Sequence, residues 1–326
     1  MRIEDDVRKD GLLADGRDVV VMFSGGRDST CLLDLAVRIA GSSSVSALHV
    51  NYGLRDAAEE DERHCRALCE RLGVELAVRN LQRPQKGNLQ AWAREERYGA
   101  AARIARERGA EIAAGHTASD QVETILYRLA SSPSRRALLG MRRREGSLVR
   151  PLLSYTREET AAYCTERGLR WREDESNDAE AFARSRTRHR LVPALRAIHP
   201  AAEANVLALA ERLGEEAAVL DALVDDVLGS RSEIGIAELA AQPLALQRLI
   251  VQRLADEAAG QLAPGVARRC EEILALGDRA ALDLPGVRAL TKDGVLKFVS
   301  GGVHARPRRR VHAPAGGRPH AAGPHS

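Results

Sequence analysis

The segment Phe23-Ser24-Gly25-Gly26-Arg27-Asp28-Ser29 carries the first residues with evident chemistry. Paired glycines let a backbone reach positive φ and approach a phosphate closely. A helix opening just after them would offer free N–H groups and a favourable dipole to an anion. The Ser24 and Ser29 hydroxyls add donors. The Asp28 carboxylate would repel phosphate and is better suited to holding Mg²⁺. The segment has neither the Gly-x4-Gly-Lys-[Ser/Thr] spacing of a Walker loop nor the Gly-x-Gly-x-x-Gly of a dinucleotide loop. Read blandly, it is a solvent-exposed turn between a strand and a helix.

Three further stretches supply candidate groups. His49-Val-Asn-Tyr-Gly-Leu-Arg55 closes an apolar run, with His49 and Asn51 near its end. Gly115-His-Thr-Ala-Ser-Asp-Gln-Val-Glu-Thr124 places His116 before a helix start, and Asp120 and Glu123 three apart on one face of that helix. Thr117 and Asp120 also fit a capping box, so the carboxylate has a purely structural use as well. Asn88 to Tyr98 contains Arg94 and Arg97 one helical turn apart, which is also the pattern of a solvated Glu–Arg face. Downstream, Arg128, Arg135, Arg136, Arg142, Arg143, Arg144 and Arg150 crowd around a single acid, Glu145, as a phosphate-contacting patch would. Trp171-Arg-Glu-Asp-Glu-Ser-Asn177 offers Asp174 and Asn177, equally able to cap a turn. Arg188 closes the run Arg184-Ser-Arg-Thr-Arg-His189.

These groups need a scaffold, and residues 18–130 provide one. Short apolar runs at 18–23, 45–50, 74–78 and 111–115 alternate with amphipathic stretches at 29–40, 57–72, 88–108 and 119–130. That alternation predicts an α/β fold, an open parallel sheet flanked by helices with right-handed crossovers. Ligands of such sheets bind beyond the carboxyl ends of the strands, where the motifs fall. From about residue 190 the pattern turns Ala-, Leu- and Glu-rich. We expect a catalytic domain over 1–190 and a smaller mainly helical domain over 191–300 ending in a β-hairpin near Lys292-Asp-Gly294. A disordered basic and His-bearing tail is expected over 301–326.

In this context the Ser-Gly-Gly loop resembles the pyrophosphate loop of N-type ATP pyrophosphatases, with their adenine nucleotide alpha hydrolase-like fold. The ordered set of motifs resembles the lysidine synthetase family within them, over residues 18 to about 195. The departures are Tyr52 for a usual His, Ser185 and Thr187 for Asn and Ile, and a glycine-poor 131–138 loop. The resemblance implies ATP and Mg²⁺ as cofactors, with L-lysine and a tRNA(Ile) bearing the anticodon CAU as partners. It implies adenylation of the wobble cytidine, then attack by the lysine ε-amine at C2, which changes the codon read from AUG to AUA. It also implies a set of roles. Asp28, Arg97, His116, Asp120 and Arg188 would be catalytic, and Asp28 and Asp120 would hold the metal. Ser24, Gly25, Gly26, Arg27, Asp28, Ser29, His49, Asn51 and Gly115 would line the nucleotide. Arg97, Glu123, Arg150, Asp174, Asn177 and Arg188 would meet the substrates. The nearest alternative is another PP-loop tRNA-modifying enzyme, such as a thiolase. An amidating synthetase and a non-catalytic nucleotide sensor are more distant ones.

Composition narrows the class. The 326 residues carry a net charge of only +3, but just Lys9, Lys86, Lys292 and Lys297 among 49 basic residues are lysines. Arginine suits bidentate phosphate contacts, so local clusters carry more meaning than the total. Five scattered cysteines, with no Cys-x-x-Cys, argue against a disulfide framework. No run approaches the ~18 apolar residues of a membrane span, and the charged N-terminus is no secretory signal. We expect a cytoplasmic enzyme, with a homodimer among the oligomeric states left open.

Overall fold

The computed structural model describes residues 2–52, 58–81, 84, 89–132, 134–172 and 183–301. Asp174, Asn177, Arg55 and the 302–326 tail lie outside the described residues. The chain divides into two compact units, Met1–Glu215 and Glu216–Ser326.

In the first unit, helix α1 (Arg2–Lys9) precedes strand β1 (Val19–Met22), helix α2 (Arg27–Ala40) and strand β2 (Val45–Asn51). Helix α3 (Ala58–Leu72), strand β3 (Glu75–Asn80), helix α4 (Leu89–Arg108) and strand β4 (Glu111–Ala113) follow. Helix α5 (Ala118–Ser131) and the short α6 (Arg135–Leu138) lead to a small hairpin, β5 (Arg144–Glu145) and β6 (Leu148–Val149). Helices α7 (Arg157–Glu166), α8 (Ala183–Arg186) and α9 (Val192–Ile198) complete it, with a π-helical turn at Thr187–Leu191. Helix α10 (Ala202–Leu228) crosses the division between the units.

The sheet order is β3-β2-β1-β4-β6-β5, parallel except for the β5–β6 hairpin. All four residues of β1 are buried. Val19, Val21 and Phe23 pack into one apolar layer with Leu32, Leu35 and Ala36 of α2, while Val20 and Met22 pack into the other with Ala101 and Ile104 of α4. Burial on both faces is why this strand reads as a continuous apolar run instead of an alternating one. Each fully buried leucine of α2 contributes roughly 1.5–3 kcal/mol. The hairpin at 144–149 was not anticipated from the sequence, because two-residue strands rich in arginine carry no periodic signal.

Strand order reverses between β1 and β4: β2 and β3 lie to one side of β1, and β4 and β6 to the other. Such a switch point opens a crevice at the carboxyl edge, because the connections leave in opposite directions. The Ser-Gly-Gly loop follows β1 and Gly115-His116 follows β4, so both motifs line that crevice.

Val192 and Leu195 of α9 pack with Val122 and Leu126 of α5, which ties the chain beyond residue 190 to the first unit. The second unit holds helices α11 (Ile236–Ala240), α12 (Leu244–Ala259) and α13 (Cys270–Leu274). With them is an antiparallel sheet of β7 (Glu233–Gly235), β8 (Ala281–Leu284), β9 (Val287–Lys292) and β10 (Val295–Ser300), in the order β7-β10-β9-β8. The expected hairpin is there, turning through Asp293 (φ 51°) and Gly294 (φ 74°), the left-handed pair of a type I′ turn. It forms the central pair of the four-stranded sheet, flanked by β7 and β8. No helix among the described residues is long and apolar enough to cross a membrane.

Candidate active site

The phosphate loop is built so that only glycine fits at its apex. Gly25 sits at φ 82°, and a Cβ there would lie 2.9 Å from Cys65 Sγ. Gly26 is the N-cap of α2, and among the described residues no side-chain hydrogen bond caps the helix start. Those N–H groups are thus left to an anion. Ser29 Oγ donates to Gly26 O at 2.9 Å and lies 3.1 Å from Ser24 Oγ, which curls the loop around its own hydroxyls. From below, buried His49 places Nδ1 3.1 Å from Phe23 O and 3.4 Å from Cys65 Sγ. A carbonyl only accepts, so Nδ1 carries the proton. On the outer side Arg172 N donates to Gly25 O at 2.9 Å, fixing the chain that leads into 173–182.

Gly25→Ala is expected to lower stability by about 1–3 kcal/mol through strain at positive φ, and to weaken ATP binding. Adding Cys65→Ala should recover part of the loss, by removing the clash but not the strain. Thermal denaturation and nucleotide titration of the single and double variants check this; no recovery would mean that Cys65 does not set the loop's limit.

At β4 the chain exits through Gly115, packed so closely on α2 that a Cβ would lie 3.2 Å from the Asp28 carbonyl and Ser29 amide. This contact brings the two motifs together. Asp120 then divides its oxygens. Oδ2 accepts from the Thr117 amide and hydroxyl, both at 2.9 Å, completing the capping box of α5. Oδ1 faces inward and accepts from Arg157 Nη2 at 2.5 Å, with Arg188 Nη2 at 3.7 Å. Glu123 Oε1 accepts from Arg157 Nη1 and Arg188 Nε, each at 2.8 Å. Asp28 Oδ1 accepts from Thr160 Oγ1 at 2.5 Å and Arg27 Nε at 3.1 Å, and its Oδ2 lies 3.9 Å from Arg157 Nε. The cap thus occupies one oxygen of Asp120 and leaves the other to the arginines.

Burial pushes the Asp120 carboxyl up, but Arg157, Thr117 and His116 outweigh it and hold it below its ordinary value. Burial pushes His116 down to about 4, with Arg150, Arg97 and Arg94 adding to the shift and Asp120 opposing it. His116 is thus neutral near pH 7, and its Nδ1 has no hydrogen-bond partner among the described residues. Between pH ~6.5 and ~4 the unfolded chain takes up a proton here that the folded chain refuses, so stability falls as pH drops through that window. The whole swing is at most on the order of 3 kcal/mol. His116→Gln should flatten the stability profile between pH 6.5 and 4, measured by urea denaturation at several pH values. An unchanged slope would mean that His116 titrates normally.

The other anticipated residues are distributed unevenly. Arg97 stacks over the Tyr98 ring at 5.6 Å, and its buried Nε has no partner among the described residues. Asn51 Nδ2 donates to Glu62 at 3.5 Å. Tyr52 turns to α4 instead, its hydroxyl donating to Ala93 O at 3.1 Å and its ring meeting Trp92 edge-on. Arg150, expected at the substrate, is buried and knots the β5–β6 hairpin, donating to Arg142 O at 2.6 Å and Glu145 at 2.9 Å. In the basic connection, Arg143 pairs with Asp10 and Arg144 with Glu111, while Arg142 is exposed. Arg188 reaches Glu123 from the π-helical turn, a distortion that often re-aims a side chain at a functional site.

Sequence reading missed Arg157, Thr160 and Gln121. Gln121 clamps Met141 through both amide atoms, at 2.7 and 2.9 Å, beneath Gly140 at φ 65°. Arg157 did leave a signal. Thr156-x-x-Glu159 is a capping box, so Arg157 is the first residue of α7, where the helix dipole disfavours a cation.

Fold, loop and crevice define an α/β domain of the nucleotide-binding class with its glycine loop at the β1–β4 switch point. The chain belongs to the PP-loop domain family, whose ATP-binding profile matches residues 3–195. It is similar to the tRNA(Ile)-lysidine synthase of Thermus thermophilus, at 37% identity over 94% of this chain and 60% of that protein. To that of Pseudomonas fluorescens it is 40% identical over 62% of this chain and 47% of that protein. The lysidine synthase of Dehalococcoides mccartyi is 32% identical over 87% and 66%, respectively. The chain therefore spans roughly half to two thirds of the length of these relatives. A U34-tRNA thiolase of Methanococcus maripaludis shares the fold, with a TM-score of 0.54 at 18% identity over 66% of this chain and 78% of that one.

Proposed function

We propose that the chain acts as a tRNA(Ile)-lysidine synthase, joining L-lysine to the wobble cytidine of the CAU anticodon at the expense of ATP. The observation that carries this reading is the meeting of an open phosphate loop with the inward carboxylates of Asp120 and Glu123 across one crevice. Those oxygens already accept from nitrogen cations, which is what an incoming lysine ammonium would require. The similarity to lysidine synthases supports the same choice over other PP-loop chemistries.

In the first step cytidine O2 attacks the α-phosphorus, the bond to the bridging oxygen breaks and pyrophosphate leaves. The first-turn amides of α2, with Ser24 and Ser29, hold the phosphates, and Arg27 and Arg97 offset charge on the leaving group. In the second step the ε-amine attacks C2, the C2–O2 bond breaks and AMP leaves. O2 departs readily only because it is esterified to phosphate. The amine must be neutral to attack, so Asp120 or Glu123 accepts its proton, and neutral His116 can accept another through its unpartnered Nδ1. Arg188 steadies Glu123, and Asp174 and Asn177 remain candidates for substrate contact.

The donor set also fits Mg²⁺. Asp28 and Asp120 present hard carboxylate oxygens to one shared cation, here a guanidinium. Among the described residues no three His, Cys, Asp or Glu side chains form a ready-made cage. That suits an ion held by one or two carboxylates plus substrate phosphates. When bound, it would neutralise phosphate charge during adenylation.

The test is pyrophosphate release with a panel of tRNAs, with and without lysine. Release coupled to lysidine only on tRNA(Ile) with CAU is the expected result. Turnover that ignores lysine but needs a sulfur donor would assign a thiolase, and no turnover on any tRNA would remove the reading.

A further inference from the structure

Arg157 is the most connected side chain of the site and has no role in the steps above. Its guanidinium lies between three carboxylates borne by two helices: Asp28 at the start of α2, and Asp120 and Glu123 on α5. Burial works against its charge, but Asp120 and Glu123 prevail, so it is permanently cationic. It sits at the first position of α7, against the helix dipole. Its backbone is pinned: Arg157 N donates to Ser119 Oγ at 3.3 Å, and Ala118 N donates to Tyr155 O at 2.7 Å. The start of α7 is thereby tied to the start of α5. One turn on, Thr160 Oγ1 holds Asp28 Oδ1. The scaffold around Arg157 is rigid, whereas its side chain is a flexible stem, about one fifth exposed.

We propose, resting on the reading above, that Arg157 is a positioning residue and an internal counter-ion. In the unliganded protein it occupies the seat between Asp28, Asp120 and Glu123, and it gives up that seat to the cations that the reaction requires. Without Arg157, three carboxylates would share only Arg27 and Arg188 among the described residues, and the uncompensated repulsion would splay the starts of α2 and α5 apart. Arg157 prevents this and keeps the Asp28 and Asp120 oxygens facing one shared cation point. It cannot share that point. Asp120 Oδ1 is in contact with Nη2 at 2.5 Å, and a divalent ion demands carboxylate oxygens at about 2.0–2.1 Å in its own octahedral geometry. Glu123 Oε1 already accepts two guanidinium nitrogens, so a lysine ammonium approaching that oxygen would likewise have to replace one of them. At a helix N-terminus the dipole works against Arg157, and among the described residues these carboxylates hold its guanidinium, which makes the exchange feasible. Arg188, which donates to the same Glu123 oxygen, stays in place and keeps that carboxylate oriented while Arg157 moves.

The probe is MgCl₂ alone, read by thermal denaturation of the full chain at constant ionic strength set with NaCl. The wild type should be stable without Mg²⁺ and gain little from millimolar MgCl₂. Arg157→Gln should unfold at a lower temperature without divalent ion and recover with MgCl₂, at a half-saturating concentration at least about tenfold lower than for the wild type. That factor follows if Arg157 fills its seat nine tenths of the time. Arg157→Lys, which keeps the charge, should fall between the two and guards against simple misfolding of the glutamine variant. The proposal is overturned if Arg157→Gln responds to MgCl₂ as the wild type does, if NaCl restores it equally well, or if it is fully stable without Mg²⁺. Neither tRNA nor lysine enters the titration, so failure here and failure of the lysidine assay are separate results.

Discussion

Asp28→Asn is expected to lower pyrophosphate release at least about a hundredfold while leaving the melting temperature close to that of the parent. The size follows from removing a charged group aimed at a developing phosphate charge in a partly enclosed crevice. The fold should persist because asparagine keeps the volume, and its carbonyl can still accept from Thr160, which donates to Oδ1 at 2.5 Å. The pairing with Arg27 at 3.1 Å weakens, but it links sequence neighbours and carries no long-range contact. Steady-state pyrophosphate release and thermal denaturation on one preparation provide the check. Near-normal turnover would place Asp28 outside the chemistry.

Asp120→Asn should separate the two half-reactions. Asparagine can still accept from the Thr117 amide, so the cap survives in part, whereas Asp120→Ala should cost about 0.5–2 kcal/mol of stability. The inward oxygen loses its charge in both variants. If that oxygen receives the amine's proton, lysine transfer should fall roughly 10²- to 10⁴-fold. Pyrophosphate release should fall less, so the ratio of pyrophosphate to lysidine rises. An equal fall in both would assign Asp120 to the metal instead. Normal lysidine formation would remove it from the reaction.

The loop and the carboxylates were legible because their information is local. Two glycines after a buried strand, and Asp120 and Glu123 spaced on one helix face, specify geometry without reference to the rest of the chain. The order of β1 and β4 in the sheet was not legible, although it decides which loops share a crevice. Arg150 marks the limit from the other side: an arginine in a basic stretch reads as a ligand group, while here two of its nitrogens donate to the carbonyl of Arg142 and to Glu145, and its Nε has no partner among the described residues. Arg157 was hidden because its three partners lie 34 to 129 positions away, and only its unfavourable place on the helix dipole betrayed it. The small meander around Gly286 and Gly294 was half visible, since its Asp-Gly turn is a local signal while the pairing of β7 with β10 is not.

The π-helical turn at Thr187–Leu191 holds one residue more than a regular helix needs. Each residue advances an α-helix by about 100°, so shortening this stretch by one would restore an even spiral while swinging everything before it around the axis. With Val192 anchored against Val122 and Leu126, it is Arg188 that would rotate away from Glu123. The surplus residue thus acts as a phase shifter between two helical segments. A shortened variant would trade a local irregularity for a more regular, more robust chain whose arginine faces the wrong way.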